Sequence, residues 1–82
     1  MKIVKLNKTH KLFHEGYTHA VRYTNWSDGA SSCEKTMTSL YGDSANYYSG
    51  RSARWKYYWG RTAYWIGVED ESMLTMLLLA MQ

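Results

Sequence analysis

An alternation of large aromatic residues between positions 54 and 68 constrains the fold of this chain more than any other feature. The segment reads RWKYYWGRTAYWIGV, and Gly60–Arg61 suits a two-residue type II′ turn, which requires glycine at its first central position. Because strand side chains alternate between two faces, the segment predicts a β-hairpin with two distinct faces. The predicted register opposes Trp59 to Thr62, Tyr57 to Tyr64, and Trp55 to Ile66.

The two faces of the predicted hairpin differ in charge. One face carries no charge and consists of Trp55, Tyr57, Trp59, Thr62, Tyr64, Ile66 and Val68. The other face holds both charges and consists of Arg54, Lys56, Tyr58, Ala63, Trp65 and Gly67. The uncharged face is the better candidate for the core. A slip of one residue in the register would exchange the two faces.

A nearly uncharged helix is predicted after the hairpin, from Glu71 to about Met81. Asp70 is a good N-cap for it. A helix that is apolar almost all round is either deeply buried or covered by a partner, and 82 residues can hardly bury one completely. The residues expected against the sheet are Met73, Leu77 and Ala80. Those expected at an interface with a partner protein or a second copy are Leu74, Leu78, Leu79 and Met81.

Two strands and an undecided segment precede these elements. Residues 2–6 are predicted to form a short strand, and Tyr17–Trp26 alternates like a second one. Between them the sequence leaves two possibilities open. One is a single helical turn capped by Thr9, and the other is a hairpin around Glu15–Gly16.

A further helix is predicted between the second strand and the hairpin. Ser31 and Glu34 have capping-box spacing, and Gly42 suits the residue after a helix end. An apolar stripe at helical spacing comprises Cys33, Met37, Leu40 and Tyr41. The element order ββαββα predicts one α+β domain over residues 1–82, with an antiparallel sheet and the helices packed on one of its faces.

Composition narrows the classes of function. Cys33 is the only cysteine, so no internal disulfide is possible and a reducing cytoplasm is the natural setting. The start MKIVKL lacks the apolar segment of a signal peptide, and residues 73–81 are far shorter than the roughly 20 residues that span a bilayer. We therefore expect a cytoplasmic protein without a membrane partner.

Basic and aromatic residues collect in the hairpin region, since residues 44–68 contain no acid and the net charge is +3. The candidate binding residues for a partner or for nucleic acid are Arg54, Lys56, Tyr58, Arg61 and Trp65. Cations there would contact phosphates while rings stack on bases, each stack contributing about 1–3 kcal/mol. The simpler interpretation is that the rings are ordinary strand residues with cations added for solubility.

The sequence patterns that could indicate a metal site or a catalytic nucleophile are weaker than the basic and aromatic pattern of the hairpin. The segment HEGYTH resembles the HExxH motif of zinc proteases but has one residue too many, and Gly16 would break the helix that the motif needs. Cys33 has no base that the sequence identifies, which favours a buried packing role. We therefore expect no metal, no cofactor and no enzymatic activity.

The segment WKYYWGRTAYWIGVEDESMLTMLLLAM covers about the last third of the chain. It resembles small uncharacterised proteins of marine and cyanobacterial tailed phages, in which a Tyr/Trp-rich strand ends in an acidic turn, here VEDE, before an apolar helix. The resemblance implies either a regulator or inhibitor that binds a host or viral protein in the host cytoplasm, or a protein that handles nucleic acid during infection. Our leading hypothesis is a non-enzymatic protein-interaction module, and the second is a single-stranded nucleic-acid-binding protein.

Overall fold

A four-stranded antiparallel sheet forms the centre of the molecule, and its strand order is β1-β2-β4-β3. The computed structural model describes residues 2–24, 29–46 and 54–81. The strands are β1 (Lys2–Lys5), β2 (His19–Tyr23), β3 (Trp55–Trp59) and β4 (Tyr64–Val68), and the helices are α1 (Lys11–His14), α2 (Ala30–Tyr41) and α3 (Glu71–Ala80). The predicted α+β class and the ββαββα order are confirmed, with the single turn α1 added between β1 and β2.

The main core lies between the sheet and the two long helices, α2 and α3. Its buried residues are Val21, Tyr23, Ala30, Cys33, Met37, Trp55, Tyr64, Ile66, Val68, Met73, Leu74 and Leu77. The hairpin contributes only its uncharged face to this core, as the alternation predicts. The apolar stripe of α2 is only partly buried, because Leu40 is exposed whereas Cys33 and Met37 are completely buried.

The hairpin turn lies one residue later than the sequence predicts. Gly60 N–H donates to the Ala63 carbonyl at 2.8 Å, which places Arg61 and Thr62 at the tip. The resulting pairs are Trp55 with Val68, Tyr57 with Ile66, and Trp59 with Tyr64. In this register both neighbours of β4 pair with the same five residues, Tyr64–Val68. The predicted pairing was wrong by two residues, and a shift of two leaves every side chain on its predicted face.

The single turn α1 packs on the opposite face of the sheet, so the undecided segment is helical. Its N-cap is His10 rather than Thr9, since His10 Nδ1 accepts the Leu12 N–H at 3.0 Å. The buried residues of this second, smaller core are Leu6, Leu12, Tyr17 and Ala20, and Val4, Tyr58 and Trp65 pack against it.

Gly67 allows α1 to approach the sheet closely. A Cβ atom at this position would lie 3.0 Å from Leu12 Cδ1 and 3.3 Å from Tyr17 Cβ. Such distances are shorter than ordinary van der Waals contact, so a side chain at Gly67 would displace its neighbours. The absence of a side chain in the middle of β4 is therefore a packing requirement.

The ends of α2 and β2 differ from the predictions. α2 begins at Ala30 and its N-cap, Gly29, makes no side-chain capping bond, so the predicted capping box is wrong. Glu34 instead accepts a hydrogen bond from the Tyr64 hydroxyl, a tertiary contact that its spacing from Ser31 does not reveal. At the other end Gly42 is the C-cap with φ of +83°, as predicted. The predicted second strand extends to Trp26, and its residues 25 and 26 lie outside the described residues.

The segment after α2 runs along the outer edge of β3. Ala45 N–H donates to the Trp55 carbonyl at 2.9 Å. The Asn46 side chain then accepts the Tyr57 N–H and donates to the Tyr57 carbonyl, each at 3.0 Å. These bonds satisfy backbone groups that an edge strand would otherwise present to another chain.

We predict that Gly67→Ala lowers the free energy of unfolding by about 1–3 kcal/mol, because the new methyl group overlaps Leu12. In a Leu12→Ala background the same change should cost at least about 0.5 kcal/mol less, since the opposing Cδ1 is gone. Urea denaturation of the four variants measures both effects. Ser39→Ala, an exposed position on α2, is the control and should change stability by less than about 0.5 kcal/mol. Additive effects of Gly67→Ala and Leu12→Ala would contradict the proposed contact.

Candidate functional site

The charged face of the hairpin is partly covered and does not form a flat platform. α1 lies against it, with the His10 ring centroid 4.4 Å from that of Trp65 and 6.2 Å from that of Tyr58. Lys56 forms an ion pair with Glu15, which follows α1. As a result Lys56, Tyr58 and Trp65 are brought together as predicted, but all three are half-buried.

Cations lie over the two rings on this face. Lys11 Nζ is 4.8 Å from the Tyr58 ring centroid, and Arg22 Cζ is 5.7 Å from the Trp65 centroid. Both distances are within the range of cation–π attraction. Burial lowers the pKa of His10, which favours the neutral imidazole that caps α1. A base that stacked on Tyr58 or Trp65 would have to displace these neighbours, which reduces the gain from stacking.

The other two predicted binding residues lie apart from this group. Arg54 precedes β3 and contacts Glu69 at 3.2 Å and Asp70 at 3.5 Å, and its Cζ is 5.4 Å from the Tyr41 ring centroid. Arg61 is exposed at the tip of the hairpin. Because Arg54 lies outside the strand, its side chain is not held to the strand alternation and reaches the helices instead. The five predicted residues therefore do not form one surface.

Helix α3 starts where the sequence predicts, and Asp70 caps it by accepting the Met73 N–H at 3.2 Å. Hydrogen bonds from the Ser72 hydroxyl and the Met73 N–H, together with Arg54, hold the pKa of the Asp70 carboxyl below its ordinary value. A carboxylate at the first turn also interacts favourably with the helix dipole. The ion pair between Asp70 and Arg54 is exposed, so it contributes little to stability.

The side of α3 that faces away from the core carries two large apolar side chains, Met76 and Leu79, beside the exposed Ser72 and Thr75. Met76 is 49%, Leu79 58% and Met81 36% exposed, and Leu78 is half-buried. We call Met76, Leu79 and Met81 the exposed α3 surface. Two predictions were wrong here. Leu74 is only 3% exposed and packs in the core beside Met73 and Leu77, so it cannot serve an interface, while Ala80 is exposed rather than against the sheet.

A pocket that the sequence analysis missed lies between α2 and the hairpin. It is lined by Glu34, Tyr57, Trp59 and Tyr64 and has a volume of about 300 Å³. The rings of Tyr57 and Tyr64 stack with centroids 5.9 Å apart, and Trp59 meets Tyr64 edge-on at 4.5 Å. The sequence assigned these three rings to the core, but Trp59 is 56% exposed.

Glu34 is the charged residue among the described residues that line this pocket. Its carboxylate accepts the Tyr64 hydroxyl at 2.5 Å, a bond that joins α2 to β4. Burial, followed by this bond, raises the pKa of Tyr64 above its ordinary value. Tyr64 therefore stays a neutral donor, and the described part of the pocket lining combines three aromatic rings with one carboxylate.

Cys33 is completely excluded from solvent in the main core, and burial raises the pKa of its thiol to about 11. At neutral pH the group is a protonated thiol, so it is a poor nucleophile. Among the residues that the structure describes, no three His, Cys, Asp or Glu side chains group in a way that could hold a metal ion. Within the same ranges, none of the helices has the length and apolar character to cross a membrane.

We predict that the protein loses stability in alkali and that Cys33 accounts for part of the loss. Folding raises the pKa of the Cys33 thiol from its ordinary value of 9.0 to about 11. The resulting stabilisation is complete at pH values below 9.0 and is lost as the pH rises towards about 11. Between pH 8 and 10 the free energy of unfolding should fall by about 1 kcal/mol less in Cys33→Ala than in the wild type. Urea denaturation at both pH values measures the difference. Equal losses in the two proteins would contradict the assignment.

Compared with protein-family models, curated proteins and solved structures, the chain matches none.

Proposed function

We propose that the protein is a non-enzymatic interaction module that binds another protein chain through the exposed α3 surface. The observation that carries the proposal is the exposure of Met76 and Leu79, at 49% and 58%, on a helix whose opposite side is packed in the core. Large exposed apolar side chains that adjoin one another are typical of interaction sites. Met76 and Met81 add flexible side chains that adapt to an irregular partner.

The burial of this surface would provide a useful binding energy. Complete burial of a leucine or methionine contributes about 1.5–3 kcal/mol relative to full exposure. Because the three side chains are between about one third and three fifths exposed, their complete burial would contribute about 2–4 kcal/mol. This is enough to place three anchor residues at the centre of an interface, but not enough to hold two chains together without further contacts.

We propose a second copy of the chain as the first partner. Residues 72–81 contain no charged side chain, so two α3 helices can approach each other without repulsion between like charges. A two-fold interface uses the same patch on both subunits, and an uncharged apolar patch is complementary to itself. The resemblance to phage proteins extends the proposal to a host or viral protein in the host cytoplasm, which would compete for the same surface.

A nucleic-acid-binding function is the alternative. It is supported by two cations that lie over aromatic rings, Lys11 over Tyr58 and Arg22 over Trp65. These cations would attract phosphates, and the net charge of +3 also favours the binding of a polyanion. The α1 contacts with both rings count against base stacking, so we rank this function second.

We predict that the protein dimerises and that Leu79→Glu prevents it, because dimerisation would bury the new carboxylate without a partner. Light scattering coupled to gel filtration should show the wild type shifting from monomer to dimer as its concentration rises. Leu40→Glu is the matched control. Leu40 is also exposed, at 37%, but lies on α2, so this variant should dimerise like the wild type. A wild type that stays monomeric at all concentrations would refute self-association.

We predict that binding to a single-stranded oligonucleotide is weak and purely electrostatic. Its affinity should fall steeply as salt is added, and Trp65→Phe should leave it within about twofold of the wild type, since Trp65 does not stack on a base. Fluorescence anisotropy of a labelled oligonucleotide measures both properties. Tight binding that is lost in Trp65→Ala, but kept in Trp59→Ala, would instead establish the alternative function.

A further inference from the structure

We propose that the pocket formed by Glu34, Tyr57, Trp59 and Tyr64 binds an organic cation of the quaternary ammonium class. The pocket is separate from the exposed α3 surface, since its residues come from α2 and the hairpin. The inference therefore does not depend on the proposed interaction function, and each has its own test.

The rings provide the first part of the recognition. An aromatic ring is negative on its face, so a cation within about 6 Å of a ring centroid is attracted to it. Trp59 is the most favourable ring type for this contact, and its 56% exposure leaves ring surface accessible from solvent. Tyr57 and Tyr64 extend the aromatic lining, with their centroids 5.9 Å apart.

The carboxylate of Glu34 provides the second part. It is half-buried and held in place by the Tyr64 hydroxyl, so it is already oriented before a ligand arrives. A fixed negative charge beside aromatic faces attracts a cation more strongly than an exposed carboxylate does, because the surroundings are less polar than water. Asn46 adds rigidity, since its side chain makes two hydrogen bonds with the backbone of Tyr57. The lining is therefore preorganised for a cation.

The hydrogen-bonding capacity of the lining selects among cations. A primary ammonium group has three N–H donors and a guanidinium has five, and all of them need acceptors when they leave water. Of the two Glu34 oxygens, Oε2 already accepts the Tyr64 hydroxyl. A quaternary ammonium has no N–H donor, so it gains the attraction of the rings and the carboxylate without leaving donors unpaired. The volume of about 300 Å³ also accommodates a trimethylammonium group with part of its alkyl chain.

The direct test is a titration of isotopically labelled protein with choline, followed by two-dimensional NMR. The expected result is a saturable shift of the Trp59 indole signal, with the other indole signals nearly unchanged. The neutral isostere 3,3-dimethylbutan-1-ol has the same shape without the charge, and it should bind at least about tenfold more weakly. Equal affinity for the two compounds, or no saturable shift up to about 20 mM choline, overturns the proposal.

Substitutions separate the effect of the Glu34 charge from that of its hydrogen bond with Tyr64. Glu34→Gln keeps an acceptor for the Tyr64 hydroxyl but removes the charge, and it should weaken choline binding about tenfold while the spectrum stays well dispersed. Glu71→Gln removes one charge at the exposed start of α3 and should leave the affinity unchanged. Trp59→Leu should also weaken binding about tenfold, and because this variant lacks the reporting indole, its titration is followed through the backbone amide signal of Tyr64. If Glu34→Gln and Glu71→Gln have the same effect, the attraction is nonspecific and the site is wrong.

The same chemistry occurs in free choline-like molecules and in trimethyllysine side chains of proteins. A short peptide that carries trimethyllysine therefore forms a second arm of the titration, with the unmethylated peptide as its control. A preference of about tenfold for the methylated peptide over choline would assign the site to a protein-borne ligand. Equal affinities would assign it to a small free cation. Failure of dimerisation in the earlier experiment would affect neither result.

Discussion

The burial of Trp55 holds the edge of the sheet to the end of α2, and the rest of the fold depends on this connection. The ring is 1% exposed in the main core, and its indole N–H donates to the Gly42 carbonyl at 2.8 Å. That carbonyl belongs to the C-cap of α2, where helix geometry leaves acceptors without a partner. A buried indole needs such an acceptor, so one hydrogen bond satisfies both groups. With β3 fixed in this way, β4 lies between β2 and β3, and α3 begins directly above the sheet.

Local chemistry was sufficient to predict much of this arrangement. The faces of the hairpin were predicted correctly although the turn was not, because alternation depends only on whether positions are odd or even. Asp70 and Gly42 were also correct, since a helix cap is decided by residues within one turn of it. The wrong pairing reflects a nonlocal effect. β2 and β3 pair with opposite edges of β4, and the observed register lets each of them pair with all of Tyr64–Val68.

The candidate sites depended on contacts between distant positions, which sequence spacing does not contain. Helix α1 covers Tyr58 and Trp65 because Gly67 leaves room for Leu12, a residue of α1 that lies 55 positions earlier in the chain. A glycine inside a strand could have indicated such a close approach. The exposed side of α3 had no comparable signal, since a helix that is apolar all round lacks the periodicity that marks its buried face. Leu74 and Leu79 look equivalent in sequence and differ only in the packing around them.

The two proposed surfaces share an origin but differ in what they recognise. In both places the chain has more apolar side chains than its own layers cover, so Trp59 and Leu79 are each more than half exposed. At α3 residues 72–81 contain no charged side chain, so the exposed side chains there discriminate mainly by shape. At the hairpin the Tyr64 hydroxyl holds a carboxylate beside the rings, which adds a preference for positive charge. The first surface therefore suits an apolar protein face, whereas the second suits a compact cation.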